Sequence, residues 1–339
     1  MKFGKIKITQ NNKTFIIAEI GINHEGSYKK CIEMVNMAKK SGADAIKLQI
    51  VNIEESYAKG TSSYKVFNKK NLKFFELIKI KKYCKMKKIY FFATPGDFSS
   101  LERIFKLKLP VIKFSSGLMN NYPLIFECVK KALPIIISTG LADESDLKKL
   151  KNFLIKIKAK NFSILKCTSE YPAKRKNLNL KKINYLKDLF RCTIGYSDHY
   201  NGYAASLLAV MNGAKIIEKH FTLNKNLKGS DHHISLEPNE FSNMVSIIRE
   251  IDEINFNESN EKKFISHKPN KKLFRKLITI KDIKKGDKIS FKNIGFKRLK
   301  KTEKSLDPKY FFLIKNKISN LNIKKNLIIT KKLIKEFNK

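Results

Sequence analysis

Eight times between residues 15 and 254, a short apolar run gives way to a longer stretch in which Lys and Glu are interleaved with apolar residues at helical spacing. The runs cover 15–21, 45–51, 89–95, 110–117, 134–140, 162–169, 192–198 and 215–222. They are rich in Ile, Val and Phe and continuous, as strands are when both faces are covered. The intervening stretches predict helices over 28–41, 72–87, 99–105, 123–131, 143–158, 180–190, 203–211 and 238–254; Gly42 stops the first and Asp143 opens the fifth. Eight strand–helix units in about 250 residues suit the α/β class and a (β/α)8, or TIM, barrel. An open doubly wound sheet is the structural alternative, but no Gly-x-Gly-x-x-Gly follows any strand.

After residue 256 the texture changes. Residues 257–276 are polar and break the alternation, which reads as a linker. From 277 to 339 the segments are short and β-like (LITI, KIS, IGFKR), with Lys285-Gly286-Asp287 as a turn between them. The expected organisation is a barrel domain over 1–256, a linker over 257–276 and a small β-rich domain over 277–339. A domain of that size is marginal alone and is expected to dock on something.

The chain carries 71 Lys and Arg against 30 Asp and Glu, a net charge of +41. Arg occurs only at Arg103, Arg175, Arg191, Arg249, Arg275 and Arg298, so the excess is almost all Lys and is spread along the whole chain. Bidentate recognition of phosphates and bases favours Arg on one face. The pattern therefore reads as a solvated surface that draws in small anions, and no nucleic acid is expected as a partner. Cys31, Cys84, Cys128, Cys167 and Cys192 form no C-x-x-C pair, as expected of reduced thiols. The opening MKFGKIKITQNNK has no apolar signal region, and no run reaches membrane-spanning length, so a cytoplasmic location without a membrane partner is expected.

Active sites of such barrels lie at the carboxyl ends of the strands. Polar residues gather there on one predicted strand after another: Glu19, Lys47, Gln49, Thr94, Lys113, Ser115, Ser116, Ser138, Thr139, Thr168, Ser169, Glu170, Tyr171, Ser197, Asp198, His199, Glu218, Lys219 and His220. Lys47 and Lys113 sit inside apolar strands, and a buried ammonium needs an anionic partner. That partner is either an internal carboxylate, Glu19 or Glu218, or an anionic ligand held with help from the neighbouring hydroxyls. His199 and His220 end consecutive strands, whose ends lie about 5 Å apart. They are a candidate pair for one divalent ion with further oxygen ligands, or two unrelated polar histidines. The loop Gly229-Ser230-Asp231-His232-His233 brings Asp231 towards them.

AEIGINHEG (18–26), Lys47/Gln49, Thr94-Pro95, IKFSSG (112–117), STG (138–140), CTSEYP (167–172), GYSDH (195–199), EKHFTL (218–223) and GSDHHISLEP (229–238) stand in the order in which similar motifs occur in the N-acetylneuraminate (sialic acid) synthase family, with its legionaminate and pseudaminate relatives. The C-terminal part resembles the antifreeze-like (SAF) domain that follows the barrel in that family. The resemblance implies a metal-dependent condensation of phosphoenolpyruvate with an N-acylated mannosamine-type sugar. Carried over by position, it implies that Lys47, Thr94, Lys113, Ser116, Ser138, Ser169 and Ser197 hold phosphoenolpyruvate. It implies that His199 and His220 hold a divalent metal, Mn2+ ahead of Mg2+ or Co2+. It gives Glu19, Gln49, Tyr171 and Asp231 the sugar hydroxyls, metal-bound water and reacting protons. It also implies a domain-swapped homodimer in which Arg298 of one subunit reaches the sugar's N-acyl group in the other.

Three positions depart from the pattern: Leu118 stands where the family has Glu, Leu299-Lys300-Lys301 follow Arg298 in place of Pro-Gly, and Ala173-Lys174-Arg175-Lys176 replace an acidic stretch. A weakly active relative, a sugar- or anion-binding protein without turnover, and a Schiff-base lyase or aldolase using Lys47 or Lys113 are the competing readings.

Overall fold

The computed structural model describes residues 1–9, 11–229, 231–255, 273–299 and 305–338. Eight parallel strands close into a barrel: β1 (Phe15–Gly21), β2 (Ala45–Ile50), β3 (Tyr90–Pro95), β4 (Ile112–Phe114), β5 (Ile135–Ser138), β6 (Phe162–Cys167), β7 (Thr193–Asp198) and β8 (Ile216–His220). Strand β8 pairs with both β7 and β1, so no edge is left and the open-sheet alternative is excluded. The helices that follow the strands are α1 (Tyr28–Lys40), α2 (Phe74–Met86), α3 (Phe98–Leu107), α4 (Tyr122–Lys130), α5 (Glu144–Lys156), α6 (Lys182–Phe190), α7 (Ala204–Met211) and α8 (Pro238–Asn255). Two short helices, Ile53–Ser56 and Ser62–Phe67, occupy the β2–α2 connection.

Local chemistry sets the boundaries. Ser27 caps α1 by accepting from the Lys30 amide, and Gly42 follows its end at φ +86°, where a Cβ would lie 2.8 Å from Val245 Cγ1. Asp143 caps α5 by accepting from the Asp146 amide at 2.8 Å. Strand β4 is shorter than its apolar run because Ser116–Leu118 turn into a 3-10 helix. Strand β8 stops at His220, after which Phe221 bridges Leu236.

Along each strand alternate residues face opposite ways. Ile16, Ile46, Leu48, Ile112, Phe114, Ile137 and Ile217 share one large core with helix residues such as Met34, Leu77, Ile104 and Leu150. Phe15, Ile17, Ala45, Phe92, Val111, Ile136, Leu165 and Ile216 form a second cluster inside the barrel, with Phe3 and Ile8 of the N-terminal hairpin packed among them. Phe3 stands edge-on to Phe92 at 5.2 Å, and the amino end of the barrel is thereby plugged.

The chain divides into two compact units, Met1–Glu258 and Ser259–Lys339. In the second, β9 (Lys276–Thr279) pairs antiparallel with β10 (Ile294–Lys297), and β11 (Ile318–Ser319) with β12 (Phe337–Asn338). Leu277, Ile283, Ile289, Phe311, Ile323 and Ile329 are among its core residues. The similar segments 282–290 and 322–330 meet where Ile283 and Ile323 exchange backbone hydrogen bonds of 2.8 and 2.7 Å. The expected linker lies outside the described residues as far as residue 272, as do Lys300 and Lys301. Among the described residues no helix is long and apolar enough to cross a membrane.

Candidate active site

The alternation that fills the lower barrel with apolar side chains continues upward with polar ones. Glu19 follows Phe15 and Ile17 on β1, Lys47 follows Ala45 on β2, Thr94 follows Phe92 on β3, and Glu218 follows Ile216 on β8. Barrel closure brings these together. Lys47 Nζ lies 3.0 Å from Glu218 Oε2 and 3.4 Å from Glu19 Oε2; Lys113 Nζ lies 3.5 Å from Glu218 Oε1. All four groups are at most 5% exposed. Lys113 also donates to Ser138 Oγ at 2.6 Å and to the Phe114 carbonyl at 3.1 Å. Ser197 donates to Glu218 Oε1 at 2.9 Å, and Gln49 to Glu19 Oε1 at 3.3 Å.

Both lysines are paired with carboxylates within the protein. The two carboxylates are not equivalent. Burial raises Glu218, but Lys113 and Lys47 override it and hold it down at about 2. Burial wins at Glu19, which is pushed up to about 7 against Lys47, with Glu218 adding to the rise. Burial lowers Lys113 to about 8, while Glu19 and Glu218 keep Lys47 raised despite its burial. Two ammonium groups thus face one firmly ionised carboxylate and a second that takes a proton near neutrality. The cluster can carry an excess of positive charge, and a bound anion would favour it. Glu19 Oε2, Glu218 Oε2 and the Thr94 hydroxyl make no aligned hydrogen bond among the described residues.

Beside this cluster stand the histidines. The His199 and His220 rings are 5.4 Å apart, and Tyr171 stacks on His199 at 4.1 Å. His199 Nδ1 lies 2.9 Å from the Thr168 carbonyl. His220 is held well below its ordinary pKa by burial, then by His199 and Lys47, so its ring is neutral. Its buried Nδ1 has no hydrogen-bond partner among the described residues, and Asp231 Oδ2 lies 3.7 Å from it. The two imidazoles, one with a nitrogen unpartnered among the described residues, are the donors that would hold a divalent ion. Among the described residues no three His, Cys, Asp or Glu side chains gather as a cage, so water or substrate oxygens would complete the shell.

Ser116, Ser169 and Cys167 converge on Gly140. A Cβ there would lie 2.8 Å from Ser116 Oγ, 2.4 Å from Ser169 Oγ and 3.0 Å from Cys167 Sγ, and Ser116 Oγ accepts from the Gly140 amide at 2.9 Å. Only glycine leaves this corner open. Arg298 is in the second unit, exposed, with Nε donating to the Leu273 carbonyl at 3.1 Å. Leu118 packs half-buried against the large core.

Some polar strand ends do not face the interior. Asp198 and Lys219 pair with each other at 3.4 Å on the outer side, where Ser206 of α7 donates to Asp198 at 2.7 Å. Glu170 ties down its own loop through Asn177 and the Lys174 amide. Cys167 lies 3.8 Å from His199 Nδ1, and buried His232 bridges Thr222 and Glu25, whereas His233 is exposed. Cys167 and Glu25 fall inside the quoted motifs, so the signal was there without its meaning. A cavity of about 700 Å3 at the plugged end is lined by exposed Lys160, Lys187, Asp188 and Arg191 and by the chain's amino group, already bonded to the Ile8 carbonyl and Thr193, so size alone does not mark a site.

A closed parallel barrel with a buried lysine–carboxylate cluster and a histidine pair at the carboxyl ends of its strands defines a (β/α)8-barrel enzyme. Comparison with known proteins narrows the class. The chain belongs to the NeuB family, whose model matches residues 34–260. It is 36% identical to the N,N'-diacetyllegionaminic acid synthase of Campylobacter jejuni, over 84% of this chain and 90% of that one. It is 35% identical to an uncharacterised protein of Methanocaldococcus jannaschii over 94% of both chains. The crystal structure of N-acetylneuraminic acid (sialic acid) synthetase from Leptospira borgpetersenii, in complex with citrate, superposes with a TM-score of 0.73 at 34% identity, covering 79% of this chain and 92% of that one.

Proposed function

We propose that this chain condenses phosphoenolpyruvate with an N-acylated mannosamine-type aldose, giving a nine-carbon 2-keto-3-deoxy sugar acid and phosphate. The observation that carries the reading is the Lys47–Glu218–Lys113 cluster inside a barrel of this family. Phosphoenolpyruvate presents a phosphate and a carboxylate on three carbons, matching two ammonium groups with hydroxyls beside them. In this reading Lys47, Lys113, Thr94, Ser116, Ser138, Ser169 and Ser197 bind it. Both the Thr94 hydroxyl and Glu19 Oε2 have hydrogen-bonding capacity to spare among the described residues.

C3 of phosphoenolpyruvate attacks the aldehyde carbon, and the aldehyde oxygen takes a proton. Water then adds at C2, and phosphate leaves with cleavage of its bond to that carbon. In this reading Glu19, which takes a proton near neutrality, and Asp231 hold or move the protons, and Gln49 and Tyr171 orient the sugar hydroxyls. A divalent ion, Mn2+ first, would be held by His199 and His220 and would polarise the aldehyde oxygen.

The Campylobacter relative is an N,N'-diacetyllegionaminic acid synthase, so the first acceptor to try is a diacetamido-trideoxy hexose, then N-acetylmannosamine and its 6-phosphate. The same reading makes the second unit a SAF-type cap over the barrel mouth of a second copy, with Arg298 on the N-acyl group. The exposed aromatic face of Phe291, Phe296 and Phe312 in that unit supports a docking role. In this reading the chain works in the cytoplasm. The Schiff-base reading draws on Lys113 at about 8, and reductive trapping of an adduct with borohydride would establish it instead. The decisive assay is phosphate release from phosphoenolpyruvate. It is expected only with both a divalent metal and an acceptor sugar; no release across these sugars overturns the reading.

A further inference from the structure

The β1–α1 loop reaches across to the segment that follows β8 and grips it at two places. The inner grip is Asn23, 2% exposed. Its amide nitrogen donates to the Phe221 carbonyl and to Ser235 Oγ, both at 3.0 Å, and its oxygen accepts from the Asp231 amide at 3.1 Å. Ser235 in turn donates to the Asp231 carbonyl at 2.7 Å. Phe221 directly follows His220, so one side chain ties the residue after the candidate metal histidine to the carboxylate-bearing residue ten positions on. The outer grip is Glu25, which meets His232 Nε2 at 3.1 Å and Lys70 at 3.0 Å.

We infer that Asn23 is a positioning residue that sets the separation of the His220 imidazole and the Asp231 carboxylate. The chemistry selects the residue type. The site demands two donors and one acceptor from one short, neutral group, and among side chains an amide supplies both. Aspartate would keep the acceptor for the Asp231 amide, lose both donors and face the Phe221 carbonyl with a like partial charge. Leucine would lose all three bonds while filling the volume. A buried carbonyl and a buried hydroxyl would then be left short of a partner, and the loop would be free to let Asp231 drift from His220.

This rests on the proposed reaction, in which His220 and Asp231 act on the aldehyde end of the acceptor. The test is a double-mutant cycle of Asn23→Leu and Asp231→Asn in the full chain, read as kcat/KM for the acceptor sugar and KM for phosphoenolpyruvate. Asn23→Leu is expected to lower acceptor kcat/KM about ten- to a hundred-fold, the range seen when partners of active-site ligands are removed. KM for phosphoenolpyruvate should stay within about threefold, since the ion pairs and hydrogen bonds of Lys47 and Lys113 go to Glu19, Glu218, Ser138 and the Phe114 carbonyl. The double variant should be no worse than Asp231→Asn alone, because Asn23 acts through Asp231. Asn23→Asp, close in size, guards against a variant that does not fold. It is expected to fold, to lose turnover in the same direction, and to speed hydrogen exchange over 221–236. Additive losses in an active enzyme, or wild-type acceptor kinetics in Asn23→Asp, overturn the assignment alone. A wild-type chain without any turnover overturns the functional reading, and this one with it.

Discussion

The two halves of the barrel interior are made by the same strands with the same alternation, and they do opposite things. In the lower half Phe15, Ile17, Phe92, Val111, Ile136, Leu165 and Ile216 pack with Phe3 into a dry plug. Two positions further along the same strands, Glu19, Lys47, Thr94, Lys113, Ser138 and Glu218 put four ionisable groups and two hydroxyls where apolar side chains would be more stable. A buried ion-pair network is at best neutral for stability compared with a packed apolar core. The lower half exists to hold the barrel closed. The upper half is retained at a cost in stability, which is the physical reason for assigning it the function.

Substitutions should separate the halves. The largest effect is expected from Lys113→Met. It leaves Glu218 with one cation, removes a donor to Ser138, and should lower kcat/KM at least about a thousandfold in the phosphate-release assay. Breaking one arm of a buried pair also costs about 3–5 kcal/mol, measurable by urea unfolding. Phe92→Ala in the plug should cost a comparable 3–5 kcal/mol of stability, while the folded enzyme keeps kcat within about threefold. A large loss of kcat in Phe92→Ala at full folding would erase the distinction between the halves.

The third expectation concerns pH. The folded pKa of Glu19 is raised from 4.5 to about 7, chiefly by burial. Between these values the native state holds the proton more tightly than the unfolded chain, so this group makes stability fall as pH rises through that window. Glu218, lowered to about 2 by Lys113 and Lys47 against its burial, acts with the opposite sign: its contribution is lost as pH falls from 4.5. Glu19→Gln should flatten the decline between pH 4.5 and 7 in thermal unfolding; an unchanged slope would remove Glu19 from the account. The smallest effect is Asp143→Ala at the start of α5, outside both halves. Losing that cap should cost about 1 kcal/mol and leave turnover unchanged.

Much of this was legible in the sequence because strands and helices are local. The run 15–21 is the observed β1 to the residue, and Asp143 caps the helix it was expected to open. Lys47 and Lys113 announced the polar layer because a lysine in an apolar strand is conspicuous. Asp198 and Lys219 misled for a related reason: at strand ends a one-residue shift turns a side chain to the other face. Asn23 has no role in the local pattern because its partners lie about two hundred residues away, in a segment with no regular period.

The sequence alone therefore determined the eight-fold order of strand and helix, the polarity of the strand ends and the family, since each is written in neighbouring residues. Only the tertiary structure decided which carboxylate meets which ammonium. Closing β8 onto β1 carries Glu218 between Lys47 and Lys113, which hold it low against its burial, while burial prevails at Glu19 and raises it. Pairing and desolvation depend on distances across the barrel, which no local pattern of residues encodes.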